Sequence, residues 1–341
     1  MAEKIKTALI GCGRRGHLHI AGILKDPRFE LAAICDIRPE AMDEIASKFS
    51  LGADVARYTS YEKMLAEIKP EMVIQALWPA HRLPVYEACV RGGVRHMVSE
   101  KPMAASWDDA VRIRELAEGS DCRLSFTHQR RFSPGNRRIR ELIGQGAIGE
   151  VTRLDLYAFQ HLLDCGTHSL DQAWSYIGEN PVKWVMGSLE TEGQVSWFDV
   201  PGEGSFAGTL MYENGLIGSI FLNLKDCRRP DPNGVTLYGT KGYMELSWEG
   251  KLFGHYSADM MPELDEYAKL SEGDCMGDNI ALMWKHIADC YLSGAEDELN
   301  WRHAYDAAEV IFGLYESVRR RGRVELPLSG VSGNPLLEIL K

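Results

Sequence analysis

Lys6-Thr7-Ala8-Leu9-Ile10-Gly11-Cys12-Gly13-Arg14-Arg15-Gly16 decides how the rest of the chain is read. The apolar run Lys6 to Ile10 leads straight into a G-x-G-x-x-G fingerprint on Gly11, Gly13 and Gly16, and a stretch of helical character follows. A second apolar run, Glu30 to Cys35, ends in Asp36, about 20 residues beyond the glycines. Strand, glycine turn, helix, strand and terminal carboxylate in that order point to a dinucleotide site. Gly11 permits the tight turn, Gly13 lets a pyrophosphate approach without meeting a Cβ, and Gly16 lets helix and strand close up. The pyrophosphate then faces unpaired N–H groups at the positive end of the helix. Asp36 can accept from ribose hydroxyls and would repel a 2′-phosphate, which favours NAD. Arg14, Arg15 and Arg38 keep NADP open, because a guanidinium holds such a phosphate bidentately; their other reading is a solvated surface.

A chain of 341 residues is long for one core and fits two domains. Its 45% apolar and 26% charged residues are those of an ordinary globular protein. No stretch approaches the roughly 18 uncharged apolar residues of a spanning helix, so neither membrane anchoring nor export is expected. A net charge of −11 argues against broad nucleic-acid binding. The basic cluster Arg319, Arg320, Arg321 and Arg323 reads instead as the cationic end of a helix stopped by Gly322. The 8 cysteines, scattered without a C-x-x-C pair, imply free thiols in a reducing cytoplasm and no structural zinc.

Through residue 127 short β-rich runs alternate with helical patterns. Strands are predicted at Lys6–Ile10, Glu30–Cys35, Met72–Ala76, His96–Ser99 and Arg123–Phe126, with helices starting near Arg14, Pro39, Ser60, Ala80 and Ser106. That alternation predicts an α/β Rossmann domain over residues 1–127, a doubly wound parallel sheet binding ligands beyond its strands' carboxyl ends. The rhythm then changes. Helices are predicted at Pro134–Gln145, Thr167–Ile177, Asp278–Leu292 and Trp301–Arg320, and strands at Val151–Phe159, Val182–Leu189, Phe206–Tyr212, Ile217–Leu224, Val235–Gly239 and Tyr243–Trp248. Tight turns at Asn214-Gly215 and Lys241-Gly242 make the sheet of this second, α+β domain, residues 128–341, open and mainly antiparallel. Residues 251–277 read as a long loop.

Two clusters could carry chemistry. Glu100-Lys101-Pro102 ends the strand His96–Ser99, where a Rossmann sheet presents side chains to the nicotinamide; a surface lysine before a turn is the plainer alternative. Asp164-Cys165-Gly166-Thr167-His168, with Asp171 three residues on, places an imidazole and carboxylates around one helix start. Such a pair suits proton transfer near neutral pH, or is a helix cap beside a satisfied histidine.

Together these segments resemble the Gfo/Idh/MocA family of sugar and polyol oxidoreductases. The resemblance rests on Gly11 to Gly16, Glu100-Lys101-Pro102, Gln129-Arg130-Arg131-Phe132, Asp164-x-Gly166-x-His168-x-x-Asp171 and Tyr315-Glu316-Ser317. It implies that Lys101, Asp164 and His168 are catalytic, that NAD or NADP binds the first domain, that a carbohydrate sits between the domains, and that the second sheet builds a homodimer or homotetramer. Glu100 and Trp78 join the expected cofactor contacts, and Gln129, Arg130, Tyr157, Gln160 and His161 the expected sugar contacts; Trp197 reads as packing or an oligomer contact. There are two departures. Asp164 follows Tyr157 closely, where many relatives carry a longer insertion, which leaves room for a bulky glycoside. Trp78-Pro79-Ala80-His81-Arg82-Leu83 replaces the relatives' Thr-Pro-Asn pattern.

The expected reaction is reversible hydride transfer between nicotinamide and a secondary hydroxyl of a sugar, glycoside or cyclitol. His168 would take the hydroxyl proton, Lys101 would bond the same oxygen, and Asp164 would hold His168 or a neighbouring hydroxyl. The alternatives are glycoside cleavage through transient C3 oxidation and elimination, and a regulator that binds NAD(P) without turnover.

Overall fold

The computed structural model describes residues 4–193, 195–223, 233–247, 252–253 and 275–341. The chain divides into two compact units, one of Met1–Ala104, Asp109–Gln129 and Met276–Arg302, the other of Ala105–Asp108, Arg130–Cys275 and His303–Lys341.

The first unit is built on β1 (Ile5–Ile10), β2 (Phe29–Cys35), β3 (Ala56–Tyr58), β4 (Met72–Gln75), β5 (His96–Ser99) and β6 (Arg123–Phe126). All neighbours are parallel, in the order β3-β2-β1-β4-β5-β6. Every residue of β4 and β5 is buried, as helix-covered central strands require. Helices α1 (Arg14–Ile23), α2 (Pro39–Phe49), α3 (Tyr61–Ile68), α4 (Arg82–Arg91) and α5 (Trp107–Glu118) supply the crossovers. Local chemistry sets their starts: Pro39 opens α2, and the Ser60 hydroxyl accepts from Lys63 N at 3.2 Å to cap α3. The strand order reverses between β1 and β4, so the fold's ligand crevice lies beyond Ile10 and Gln75.

One boundary differs from the sequence expectation, which assigned everything after residue 127 to the second domain. Met276–Arg302, comprising most of the helix Cys275–Ser293, belongs to the first unit. Packing explains this: the fully buried Trp284 ring meets His19 at 5.6 Å and Phe29 at 5.5 Å, edge-on in both cases. A Cβ on Gly22 of α1 would come within 2.6 Å of the same indole, so the small residue admits the ring.

The second unit carries α6 (Pro134–Gly144), β7 (Val151–Ala158), α7 (Thr167–Ile177), β8 (Val182–Glu190), the hairpin of β9 (Val195–Trp197) and β10 (Val200–Gly202), β11 (Ser205–Tyr212), β12 (Ile217–Leu222), β13 (Gly234–Gly239), β14 (Gly242–Leu246), β15 (Leu252–Phe253) and β16 (Val324–Glu325). Its 8-stranded sheet runs β15-β14-β13-β7-β12-β11-β8-β16. Every pair is antiparallel except β7 with β12, so the sheet is mixed. One face is apolar, with Leu154, Leu156, Phe206, Leu210, Ile220, Leu222, Val235 and Leu237 all buried. The helix Trp301–Arg320 packs on it, its Tyr315 ring 6.4 Å from Phe206 and its Ser317 hydroxyl accepting from Gly187 N at 2.8 Å. The opposite face leaves Met186 and Ile217 exposed. Arg319 pairs with Glu316 at 2.7 Å, Arg320 with the same carboxylate, and Arg323 with Glu325 at 2.6 Å, so three cations of the basic cluster are engaged locally. Most of the expected 251–277 loop, Leu224, Trp248 and the Trp197 side chain lie outside the described residues and side chains. No described helix is long and apolar enough to cross a membrane.

Candidate active site

In the first unit the three glycines differ in what surrounds them. Gly11 has φ +98°, and a Cβ there would lie 2.5 Å from Ala76 O. A Cβ on Gly16 would lie 2.2 Å from Gly11 O, which explains a glycine where helix and turn touch. A Cβ on Gly13 would meet no other part of the chain within 4 Å. Gly13 is also the N-cap of α1 and has no side-chain cap, so the first-turn N–H groups face that open space. These features fit a pyrophosphate. Asp36 ends the neighbouring strand and is fixed from both sides, accepting from Cys12 N at 2.8 Å and Arg38 N at 2.9 Å. Arg14 and Arg38 are exposed beside the loop, whereas Arg15 is drawn 3.8 Å from Glu100.

Glu100 and Lys101, 5% and 3% exposed, stand where β5 ends. Glu100 accepts from His19 of α1 at 3.0 Å. Burial opposes its charge, but Arg15, the His19 hydrogen bond and Lys101 outweigh burial and hold the carboxyl well below its ordinary range. The Glu100 carboxylate therefore ties the helix carrying the glycine turn to the residue before Lys101. On the other side, buried Arg82 donates to Leu77 O at 3.0 and 2.9 Å, to Lys101 O at 3.1 Å and to Pro102 O. Gln75 Nε2 donates to Arg82 O at 2.9 Å, and Ser99 Oγ to Gln75 Oε1 at 2.7 Å. Trp78 is 44% exposed and stacks on His81 at 6.5 Å. Gln129, 3% exposed, opens a 3-10 turn after β6.

In the second unit β7 delivers the other cluster. Tyr157 lies near its end, and Gln160 follows with φ +69°, a strained value for a residue with a side chain. Asn223 stabilises that bend by accepting from Gln160 N at 2.8 Å and donating to Gln160 O and to Gly204 O. Leu162–Gly166 then forms a π-helical turn running directly into α7. Asp164 thus sits inside a helical turn rather than before the first one, and Asp164 and His168 are 7% and 3% exposed. Buried Glu203 accepts from Leu162 N and from Tyr315 OH, both at 2.8 Å; burial raises its carboxyl above the ordinary range. Arg131 grips Asp171 with two bonds of 2.8 Å, fixing α7 one turn beyond His168. His161 is fully buried, its ring within 2.7 Å of where a Gly202 Cβ would be. Arg130 is half-buried and its carbonyl accepts from Asn136 at 3.0 Å.

Residues 5–128 match the family described as "Oxidoreductase family, NAD-binding Rossmann fold", and residues 159–245 match the "GFO/IDH/MocA C-terminal domain". The chain belongs to the Gfo/Idh/MocA family. Residues 5–128 are accordingly the family's NAD-binding Rossmann domain. An uncharacterized oxidoreductase of Schizosaccharomyces pombe is 24% identical over 217 residues, a match spanning 58% of this chain and 58% of the yeast protein. The D-glucoside 3-dehydrogenase of Escherichia coli K12 is 25% identical over 377 residues, spanning 95% of this chain and 98% of that enzyme. Among solved structures, the WlbA dehydrogenase of Bordetella pertussis in complex with NADH and UDP-GlcNAcA superposes with a TM-score of 0.82 at 22% identity, covering 96% of this chain and 99% of that one. The likeness to WlbA is one of fold.

Within this Gfo/Idh/MocA chain, three side chains beside the candidate residues carried no functional reading in the sequence. Arg82, Asn223 and Glu203 are ordinary surface residue types by composition, and only tertiary contacts reveal them as buried clamps. The Arg131–Asp171 pair falls within the family motifs, but nothing in the spacing joins its members. The six described free cysteines include Cys12 and Cys35 near the glycine turn, where burial first and the Asp36 charge second push both thiols up to about 12. These two are packing groups rather than nucleophiles. No cluster of described residues could hold a metal ion.

Proposed function

We propose that the protein oxidises or reduces one secondary hydroxyl of a pyranoside with NAD, using Lys101, Asp164 and His168. The observation that carries this reading is the nearly end-to-end match to D-glucoside 3-dehydrogenase; the bracing of Lys101 between Glu100 and Arg82, and of the turn that carries Asp164 ahead of His168, supports it. NAD, when bound, supplies the hydride acceptor. Gly13 and the first turn of α1 hold its pyrophosphate, and Asp36 its ribose. His168 Nε2 or Nδ1 takes the proton leaving the substrate hydroxyl, Lys101 Nζ donates to that oxygen as charge builds, and Asp164 orients the imidazole. Gln129, Arg130, Tyr157 and Gln160 hold neighbouring hydroxyls, and Trp78 covers an apolar sugar or cofactor face. The sheet face bearing Met186 and Ile217 is the surface we assign to a second copy of the chain.

The test is incubation with NAD⁺ and with NADP⁺ against methyl and aryl pyranosides, free hexoses and inositols, following reduced nicotinamide and product mass. A ketone lighter than its substrate by two hydrogens, with stoichiometric NADH, supports the reading. Aglycone release with no net NADH favours transient oxidation and elimination, and tight NADH binding without turnover favours a regulator.

A further inference from the structure

We infer that Arg82 is the positioning residue for Lys101, a buried guanidinium clamp that sets the lysine by gripping the main chain where β4 and β5 end; this rests on the proposed role of Lys101. Arg82 is 3% exposed, and among the described residues no carboxylate lies within ion-pair distance of it. A buried cation without a bonded counter-charge is costly, so its retention needs a reason beyond packing. The reason lies in what it bonds. All its side-chain hydrogen bonds go to main-chain carbonyls at the ends of two adjacent strands: Leu77 O beyond β4, and Lys101 O and Pro102 O beyond β5. Its own carbonyl is held by Gln75, which Ser99 holds in turn, so both strand ends and the start of α4 form one closed network.

Only a planar fork suits this geometry. Nη1 reaches Pro102, Nη2 reaches Lys101 and Leu77, and Nε reaches Leu77 again, directions that the single ammonium of a lysine cannot cover together. On the other flank Glu100 is held by Arg15 and His19. Lys101 is therefore fixed through its own carbonyl by Arg82 and through the preceding side chain by α1. The glycine turn and Asp36 take no part in the Arg82 network, so loosening it should disturb the reacting lysine more than the nucleotide cradle. A misplacement of about 1 Å costs on the order of 10²-fold in rate.

The experiment compares the full chain with Arg82→Lys and Arg82→Ala. It reads single-turnover NAD⁺ reduction with the best pyranoside, NADH affinity by fluorescence, and hydrogen exchange in peptides spanning 76–82 and 99–104. Arg82→Ala is expected to slow turnover on the order of 10²-fold with NADH affinity within about threefold, and millimolar methylguanidinium, but not methylammonium, should restore much of the rate. Arg82→Lys, which keeps the charge but not the fork, should lose most of the same rate. Turnover by Arg82→Lys at the parental rate overturns the inference, as does parallel loss of rate and NADH affinity without rescue. If the parent oxidises no sugar, the proposed function fails while the clamp is still read by exchange. Faster exchange in both segments of Arg82→Ala, reversed by methylguanidinium, then supports the clamp, and unchanged exchange overturns it.

Discussion

Gly13→Ala and Gly16→Ala add the same methyl group to one helix turn, and the structure predicts opposite failures. At Gly13 the added Cβ would meet no other part of the chain within 4 Å, and the backbone, φ −74° and ψ −168°, is one alanine adopts freely. Losing glycine's unfolded-state freedom contributes about 0.4–1 kcal/mol of stability, and the weaker N-cap costs a similar amount, so folding should change by less than about 1 kcal/mol. The methyl nonetheless occupies the space assigned to the pyrophosphate. Displacing one or two charge-assisted N–H contacts, worth about 1.5–3 kcal/mol each, should weaken NADH binding roughly 10- to 100-fold or more. At Gly16 the new Cβ would lie 2.2 Å from Gly11 O and 3.3 Å from Leu9 Cδ2. The helix must back away by about 1 Å, an overpacking cost of about 1–3 kcal/mol only partly offset by alanine's helix preference of about 1 kcal/mol. Gly16→Ala should therefore melt several degrees lower without cofactor, on the order of 2–4 °C per kcal/mol. The assay is a thermal melt without cofactor paired with an NADH titration. Parental NADH affinity in Gly13→Ala, or a parental melting temperature in Gly16→Ala, would refute the reasoning.

Three further outcomes follow from particular contacts. Because the folded Glu100 carboxyl lies well below its unfolded value of 4.5, its contribution is fully present above that pH and is lost progressively as pH falls from there toward the lower folded value. Glu100→Gln should be less stable at neutral pH yet show a shallower loss of melting temperature between about pH 5 and pH 3, and equal slopes would contradict the pairing. Asp36→Asn removes the charge facing a 2′-phosphate and should shift the NADP-to-NAD affinity ratio upward about tenfold or more, measured by titration with both reduced cofactors. Asn223→Ala removes the bonds that hold Gln160 at φ +69° and should cost about 1–3 kcal/mol locally, read as faster hydrogen exchange in peptides spanning 159–166.

Much of the first unit was legible because its signals are local. The glycine fingerprint, the terminal Asp36 and the five apolar runs each mark a strand end by residue type, and the structure places strands at all five runs. β3 was not legible: Ala56-Arg57-Tyr58 is too short for a period and is recruited by pairing with β2. The allegiance of Met276–Arg302 was hidden for another reason, since what binds it to the first unit is an indole seated against side chains far away in sequence. In the second unit the hairpin β11–β12 announces itself through Asn214-Gly215, whereas the parallel β7–β12 pair has no turn to mark it. Asp164 and His168 could be singled out as a carboxylate and an imidazole at a helix start. The π-helical turn beneath them could not, because it depends on Glu203 and Tyr315 bonding from distant segments. Clamps of this kind are tertiary by nature, and Arg82 is the clearest case.

The central claim, direct removal of hydrogen from a sugar carbinol carbon, is tested most directly with a methyl pyranoside deuterated at every ring C–H. Mass analysis of the nicotinamide after turnover should show one deuterium per reduced cofactor with the parent protein, and almost no deuterated cofactor formed in the same time by Lys101→Ala or His168→Ala. Reduced nicotinamide without deuterium, or full transfer by both variants, would contradict the account.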